Sequence, residues 1–293
     1  MTAPAEQFAR DGYTVVSDLI EEAELADLRR ALEETIAKVN RDPDAYLTRY
    51  TIKDESTVDT WGVNDLLSPV LYDPAYAQVF ENRKLLDLVE ETMGGPLRFW
   101  AAHALWSPNR LDYDLNWHRD FGDDDRYDPD GGSTHIYINI CLVDDQCFHA
   151  IPGSNRRPLT EPELEQQRVA GFDPLPGEVV VRCRAGDVLL MNGHAFHRGA
   201  CPAGSLRRTL HIALQPIDEP TGGHGSWKYM RAEGFLDSMM PGVRELMRRA
   251  IEWEDQNPLS LRESMRRMRI SKRHQTHQAR RISAPPATAG PEA

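Results

Sequence analysis

The chain has 293 residues, 40% of them hydrophobic and 27% charged, with a net charge of −12, the make-up of an ordinary globular protein. That charge argues against nonspecific nucleic-acid binding, for which a basic face is the expected footprint. No apolar run approaches the ~18 residues of a membrane span, so neither nucleic acid nor membrane is expected as a partner.

The charge is uneven. Eight Lys/Arg against two Asp/Glu lie between Arg262 and Ala293, which leaves −18 on residues 1–261. The expectation is one domain over 1–261 and a basic, solvated, partly disordered tail over 262–293. Cys141, Cys147, Cys183 and Cys201 form no C-x-x-C pair, and Met1-Thr-Ala-Pro-Ala-Glu6 lacks the basic and apolar segments of a signal peptide. Free thiols in a reducing cytoplasm are therefore expected. The ending Gly290-Pro-Glu-Ala293 is not a peroxisomal address.

In chain order, Phe8-Ala-Arg-Asp-Gly-Tyr-Thr-Val-Val16 predicts a turn and then a short strand. From Glu21 to Val39, residues Leu25, Leu28, Leu32, Ile36 and Val39 recur at three- and four-residue steps between charges, the pattern of an amphipathic helix. Residues 41–80 are rich in Asp, Pro and Tyr and carry no periodic signal. A second helix is expected over Asn82–Met93, stopped by Gly94-Gly95-Pro96. Short β-like runs follow at 97–106, 134–143, 178–182, 188–191 and 208–215, separated by Gly, Pro and Asp clusters. The run His135–Val143 alternates as a barrel strand with one inward face does. Glu161–Val169 predicts a helical insert, with Thr160 ahead of it and Pro162 in its first turn. Residues 221–270 read as helical, with Leu246, Met247, Ile251 and Trp253 as packing candidates. Helices first, then many short strands without βαβ spacing, predict a mainly β fold with flanking helices. The expected core is an antiparallel barrel or jelly roll over about 97–216.

Three blocks carry chemistry. In Asn116-Trp-His118-Arg119-Asp120-Phe, His118 and Asp120 are two apart, so on a strand both side chains point to one face. An imidazole nitrogen and a carboxylate oxygen then meet one cation from one side. Two histidines and one carboxylate on one face of an octahedron leave three open positions, the pattern of non-haem Fe(II) oxygenases. The second block, Gly186-Asp-Val-Leu-Leu-Met-Asn-Gly-His194-Ala-Phe-His197-Arg-Gly199, holds two candidates for the third ligand. They are three apart, so a regular strand directs them to opposite faces and only one joins the site; His194 is assigned a hydrogen-bonded place at the rim. The third block begins a strand with Arg207-Arg208, of which one side chain points in and one out. A buried guanidinium beside a metal site needs an anion, and an iron-chelating keto acid supplies a carboxylate for it. Elsewhere, the acidic loop 122–132 reads as solvated, with a lid or a site for a cationic substrate as the functional alternative. The Gly-rich 222–227 lacks the strand–helix setting of a phosphate loop, and His103 reads as a core histidine.

Together these segments resemble the phytanoyl-CoA dioxygenase family of Fe(II)/2-oxoglutarate oxygenases over about residues 8–216. The resemblance runs through Phe8–Val16, Trp117-His-Arg-Asp-Phe121, Val143-Asp-Asp with Ala150-Ile-Pro-Gly-Ser-Asn155-Arg, Gly186-Asp-Val-Leu-Leu and His197-Arg-Gly. It implies a double-stranded β-helix of cupin-like form. It implies Fe(II) held by His118, Asp120 and His197, with O2 and 2-oxoglutarate as co-substrates. The family's arginine, eleven residues beyond the distal histidine, falls on Arg208, which would then pair with the distal carboxylate of 2-oxoglutarate. Where the family often has a hydroxyl residue two after that histidine, this chain has Gly199, and Tyr137 or Thr134 is expected to replace it. Arg119, within H-x-D, is expected to line the entrance. Related halogenases have a small residue at the Asp120 position, so a carboxylate there favours hydroxylation, desaturation or ring chemistry, and hydroxylation of a small molecule, with release of succinate and CO2, is the expected outcome. A cupin-type metalloenzyme without 2-oxoglutarate and a non-catalytic jelly-roll binding protein are the alternatives; the arginine separates the first, and the intact triad argues against the second.

Overall fold

The computed structural model describes residues 2–54, 56–120, 127–220, 225–258, 260 and 262. The expectations for Phe121, for most of the acidic loop's first half, for residues 222–224 and for the basic tail lie outside those residues.

The chain opens with a helix, α1 (Ala3–Asp11), where the sequence predicted only a turn. Pro4 sits in the first turn, where its missing N–H costs nothing, and Gly12 ends the helix at φ 83°. The strand β1 (Tyr13–Val16) follows. The amphipathic pattern becomes α2 (Glu22–Arg41), burying Leu25, Leu28, Leu32 and Val39. The stretch without periodic signal holds a hairpin, β2 (Thr48–Lys53) and β3 (Val58–Asn64), then the short helix α3 (Pro74–Gln78). Five successive residues of β3 are buried. A strand covered on both faces shows no alternation, which is why the pattern was silent there.

The next helix, α4 (Arg83–Met93), is capped by Asn82, whose Oδ1 accepts from the Leu85 N–H at 3.1 Å, and ends at Gly94 with φ 78°. Then come β4 (Leu97–Trp106), β5 (Tyr113–Asp114), β6 (Ile136–Cys141) and β7 (Asp145–Ala150). The predicted insert appears as α5 (Glu161–Arg168), which starts from a capping box of Thr160 and Glu163. The strands β8 (Val179–Cys183), β9 (Val188–Asn192), β10 (His197–Cys201) and β11 (Arg208–Pro216) complete the β core, and α6 (Phe235–Ser238) and α7 (Pro241–Gln256) follow.

Seven strands form one sheet in the order β1-β9-β6-β11-β4-β3-β2, and four form a second in the order β5-β10-β7-β8. All pairs are antiparallel. On the outer face of the large sheet, Ile136, Ile138, Ile140, Leu210, Ile212 and Leu214 join Leu28, Leu32 and Met247 in one buried cluster. The alternate residues face the small sheet. Leu189 and Met191 meet Phe148, Ala150, Val181 and Cys183 there, while Tyr137, Asn139, Thr209 and His211 make the remaining interior polar. The result is a jelly roll with helices packed outside it. Among the described residues no helix is long and apolar enough to cross a membrane.

Leu32 is fully buried where α2 covers the large sheet. Leu32→Ala is expected to lower unfolding free energy by about 2–5 kcal/mol, read by urea denaturation. A change below about 1 kcal/mol would mean that α2 adds little to the core.

Candidate metal centre

His118 and His197 are far apart in the chain but directly opposite each other in space. They form an antiparallel bridge, with His118 N–H donating to His197 O at 2.9 Å and His197 N–H to His118 O at 3.0 Å. Residues opposite each other in such a pair direct their side chains to the same face, and the two imidazole centroids are 4.4 Å apart. Asp120, two residues on, shares that face. Its Oδ1 lies 3.6 Å from His118 Nε2 and its Oδ2 3.7 Å from His197 Nε2. One ligand atom from each of the three fits within 4.8 Å of the others.

The imidazoles are held in one tautomer. His118 Nδ1 lies 2.6 Å from Asn116 O, and His197 Nδ1 lies 3.0 Å from Ala195 O. A carbonyl only accepts, so each Nδ1 carries the hydrogen and each Nε2 presents a lone pair to the shared face. Asp120 Oδ2 is buried with no hydrogen-bond partner among the described residues, a costly state that a cation relieves. Burial raises the Asp120 carboxyl, but His197, His118 and His135 outweigh it and hold the group well below the usual carboxylate range. Burial pushes His197 down to about 4, the pull of Asp120 only partly offsetting it. At His118 burial acts in the same sense, but its contact with Asp120 outweighs it and raises the group. Two imidazole Nε2 atoms, once the His118 proton is given up, and one charged carboxylate suit a divalent first-row metal with open positions.

The other expected residues divide. His194 stands in the turn after β9, where its N–H donates to Asn192 Oδ1 at 2.9 Å and its Nε2 lies 3.3 Å from Thr134 Oγ1; it takes no place among the three. Thr134 also contacts His135 Nδ1 at 3.1 Å, so its hydroxyl is already engaged between two histidines. Tyr137 faces inward beside His135 and Trp100, at centroid distances of 4.8 and 6.2 Å. Burial and then the charge of Asp120 push its hydroxyl well above the ordinary phenol range.

Arg208 does not reach the site. It lies opposite Trp106 on β4, sharing the helix-facing side with Leu210, and its Nε donates to Glu33 of α2 at 2.5 Å. Strand parity turns Arg207 inward instead, with Thr209 and His211. Arg207 is buried, donates from Nε to Asp145 Oδ2 at 2.8 Å and from Nη1 to the Tyr113 hydroxyl. Arg119 does not line an entrance; it is buried, and its Nη2 donates to the carbonyls of Ser154 and Arg157 at 2.7 and 2.9 Å, pinning the metal-motif segment to the neighbouring loop. The segment 41–80 conceals further inward residues, Arg49, Trp61 and Asn64. His103 pairs with His211 in register, the two rings stacked at 5.3 Å.

The family model for phytanoyl-CoA dioxygenase matches residues 8–205. Among solved structures, AviO1 from Streptomyces viridochromogenes Tue57 is similar at TM-score 0.59 and 23% identity, over 74% of this chain and 96% of that one. EctD from S. alaskensis, solved with 2-oxoglutarate and 5-hydroxyectoine, is similar at TM-score 0.55 and 17% identity, over 75% and 77%. SnoK, a non-haem α-ketoglutarate-dependent carbocyclase from nogalamycin biosynthesis, is similar at TM-score 0.54 and 18% identity, over 74% and 85%. These likenesses are of fold. No curated protein matches the sequence.

Anaerobic calorimetric titration with Fe(II) is expected to show one site. Asp120→Ala and His197→Ala are each expected to weaken it beyond the roughly 10–100-fold that loss of a supporting contact causes, while His194→Ala stays within that range. Equal losses in His194→Ala and His197→Ala would contradict the three-residue set.

Proposed function

Since the chain belongs to the phytanoyl-CoA dioxygenase family, we propose that it is an oxygenase dependent on Fe(II) and 2-oxoglutarate, hydroxylating a carbon of a small molecule with release of succinate and CO2. The observation that carries this reading is the donor set: two histidine Nε2 atoms and one carboxylate on a single face, with both tautomers set by backbone carbonyls. EctD was solved with 2-oxoglutarate and a hydroxylated small molecule, which supports both the co-substrate and the outcome. SnoK is a carbocyclase, so this fold also serves ring closure.

In this reading His118, Asp120 and His197 would hold the metal and leave positions on it open to small ligands. When bound, iron with 2-oxoglutarate and O2 supplies the oxidising power that removes hydrogen from an unactivated carbon. The chain's own contribution is placement and shielding. The carbonyls of Asn116 and Ala195 fix the direction of both imidazoles, and the burial of His197 with half-buried His118 and Asp120 limits the access of bulk water to the reacting centre. Tyr137, with Trp100 beside it, lies near Asp120, its phenol protonated and able to donate a hydrogen bond inward. Arg208 takes no part, because its guanidinium is engaged with Glu33 on the opposite face of the sheet.

Succinate release from 2-oxoglutarate, measured with Fe(II) and ascorbate across a panel of small molecules, tests the reading. The wild type is expected to be stimulated by its substrate and Asp120→Ala to release none. Arg208→Ala is expected to keep the KM for 2-oxoglutarate within about threefold, since it breaks only a partly exposed ion pair. A steep rise in that variant would show that Arg208 turns into the barrel when the co-substrate binds.

A further inference from the structure

Arg49 lies on β2, the edge strand of the large sheet, opposite Gly62 of β3. The missing side chain at Gly62 is what admits it. A Cβ there would stand 3.2 Å from Arg49 Cδ, and 2.7 Å from the Ala104 carbonyl oxygen. The Arg49 stem crosses the inner face of the sheet, its guanidinium carbon 5.0 Å from the Trp61 ring centroid. Its Nε and Nη2 both donate to Asn64 Oδ1, at 3.3 and 3.0 Å. Asn64 is opposite His103, so the guanidinium ends in the polar interior. There Tyr113, Tyr137 and Asp120 partly offset the burial that lowers its pKa.

Its pairing sets Arg49 apart from three other guanidiniums of the barrel. Arg207 is matched by Asp145, Arg198 by Glu178, and Arg208 by Glu33. Arg49 meets a neutral amide oxygen, and among the described residues no carboxylate forms an ion pair with it. Arginine cannot discharge itself at physiological pH, and a half-buried charge without a counter-charge close by is unfavourable. Nε–H and one Nη2–H are used by Asn64, so the two Nη1 hydrogens and one on Nη2 remain. These form the end-on fork that takes both oxygens of a carboxylate.

The geometry points to Arg49, braced by Asn64 and Trp61, as the carboxylate-binding residue of the candidate oxygenase pocket. This rests on the oxygenase reading only for the identity of the neighbouring metal. Two carboxylates suit the place: the distal one of 2-oxoglutarate, and one carried by the substrate. If the carboxylate is the substrate's, the alternative of a cationic substrate raised by the acidic loop gives way to an acidic one.

Anaerobic, Fe(II)-loaded full-length protein is titrated with 2-oxoglutarate by calorimetry. Hexanoate and phenylacetate, each matched with its primary amide, are then followed by ligand-observed NMR at saturating 2-oxoglutarate. The variants are Arg49→Gln, Arg49→Lys and Asn64→Asp, with circular dichroism melting as the folding check. Asn64→Asp keeps the guanidinium and neutralises it in place, so it serves even if Arg49→Gln does not fold. If the carboxylate is that of 2-oxoglutarate, Arg49→Gln and Asn64→Asp weaken its binding on the order of 10- to 100-fold, and Arg49→Lys less. If it belongs to the substrate, 2-oxoglutarate binding holds, and the wild type's preference for acids over amides disappears in the same variants. Unchanged binding of both probe classes in folded Arg49→Gln and Asn64→Asp overturns the assignment. A wild type that ignores 2-oxoglutarate yet prefers acids through Arg49 keeps this inference and removes the co-substrate reading instead.

Discussion

Two backbone hydrogen bonds between His118 and His197 are the constraint on which the candidate site depends. They tie the segment after β5 to the first residue of β10, and so decide which histidine stands beside which carboxylate. Because opposed residues in an antiparallel pair share a face, the bridge and the two-residue step to Asp120 create the three-donor set without any special local conformation. The neighbouring contacts serve the same end. Phe196 N–H donates to Ser154 Oγ at 2.8 Å, and Arg119 reaches the carbonyl of the same serine. Both ligand-bearing segments are thereby anchored to one loop. A site built this way is stiff, since moving one ligand means breaking the sheet.

The interior around the three donors is organised by charge as much as by shape. Asp120 holds its negative charge against burial because the imidazoles surround it. Arg207 is matched by Asp145, so its positive charge is balanced where it stands. Arg49 meets the neutral amide oxygen of Asn64 instead, and among the described residues no carboxylate forms an ion pair with it. A dianionic co-substrate entering such a space would find a counter-charge in place, which favours binding by pre-organisation rather than rearrangement.

Much of this was legible in the sequence, and the failures have definite physical causes. Period-two spacing put His118 and Asp120 on one face, whereas His194 stands apart because it lies in the turn between β9 and β10, not through parity along one strand. The amphipathic α2, the helix start marked by Thr160 and Pro162 and the glycine stop at Gly94 were local signals, and local signals survive folding. The arginine was misplaced because spacing counted along the chain, eleven residues from His197, does not register where β11 begins. Parity within that strand turns Arg207 inward with Thr209 and His211, leaving Arg208 with Leu210 on the helical side. Arg49 was invisible for a different reason. It sits on an edge strand in a stretch without alternation, and its inward course depends on Gly62, thirteen residues later, which only the pairing of β2 with β3 reveals.

The central claim is that three side chains brought together by one antiparallel bridge hold a single iron. Crystals grown anaerobically with Fe(II) and 2-oxoglutarate, measured on both sides of the iron absorption edge, test it most directly. The account predicts one anomalous peak per chain, in contact with His118 Nε2, His197 Nε2 and an Asp120 oxygen, with 2-oxoglutarate completing the coordination. A peak bound by other residues, or none at full metal loading, would contradict it.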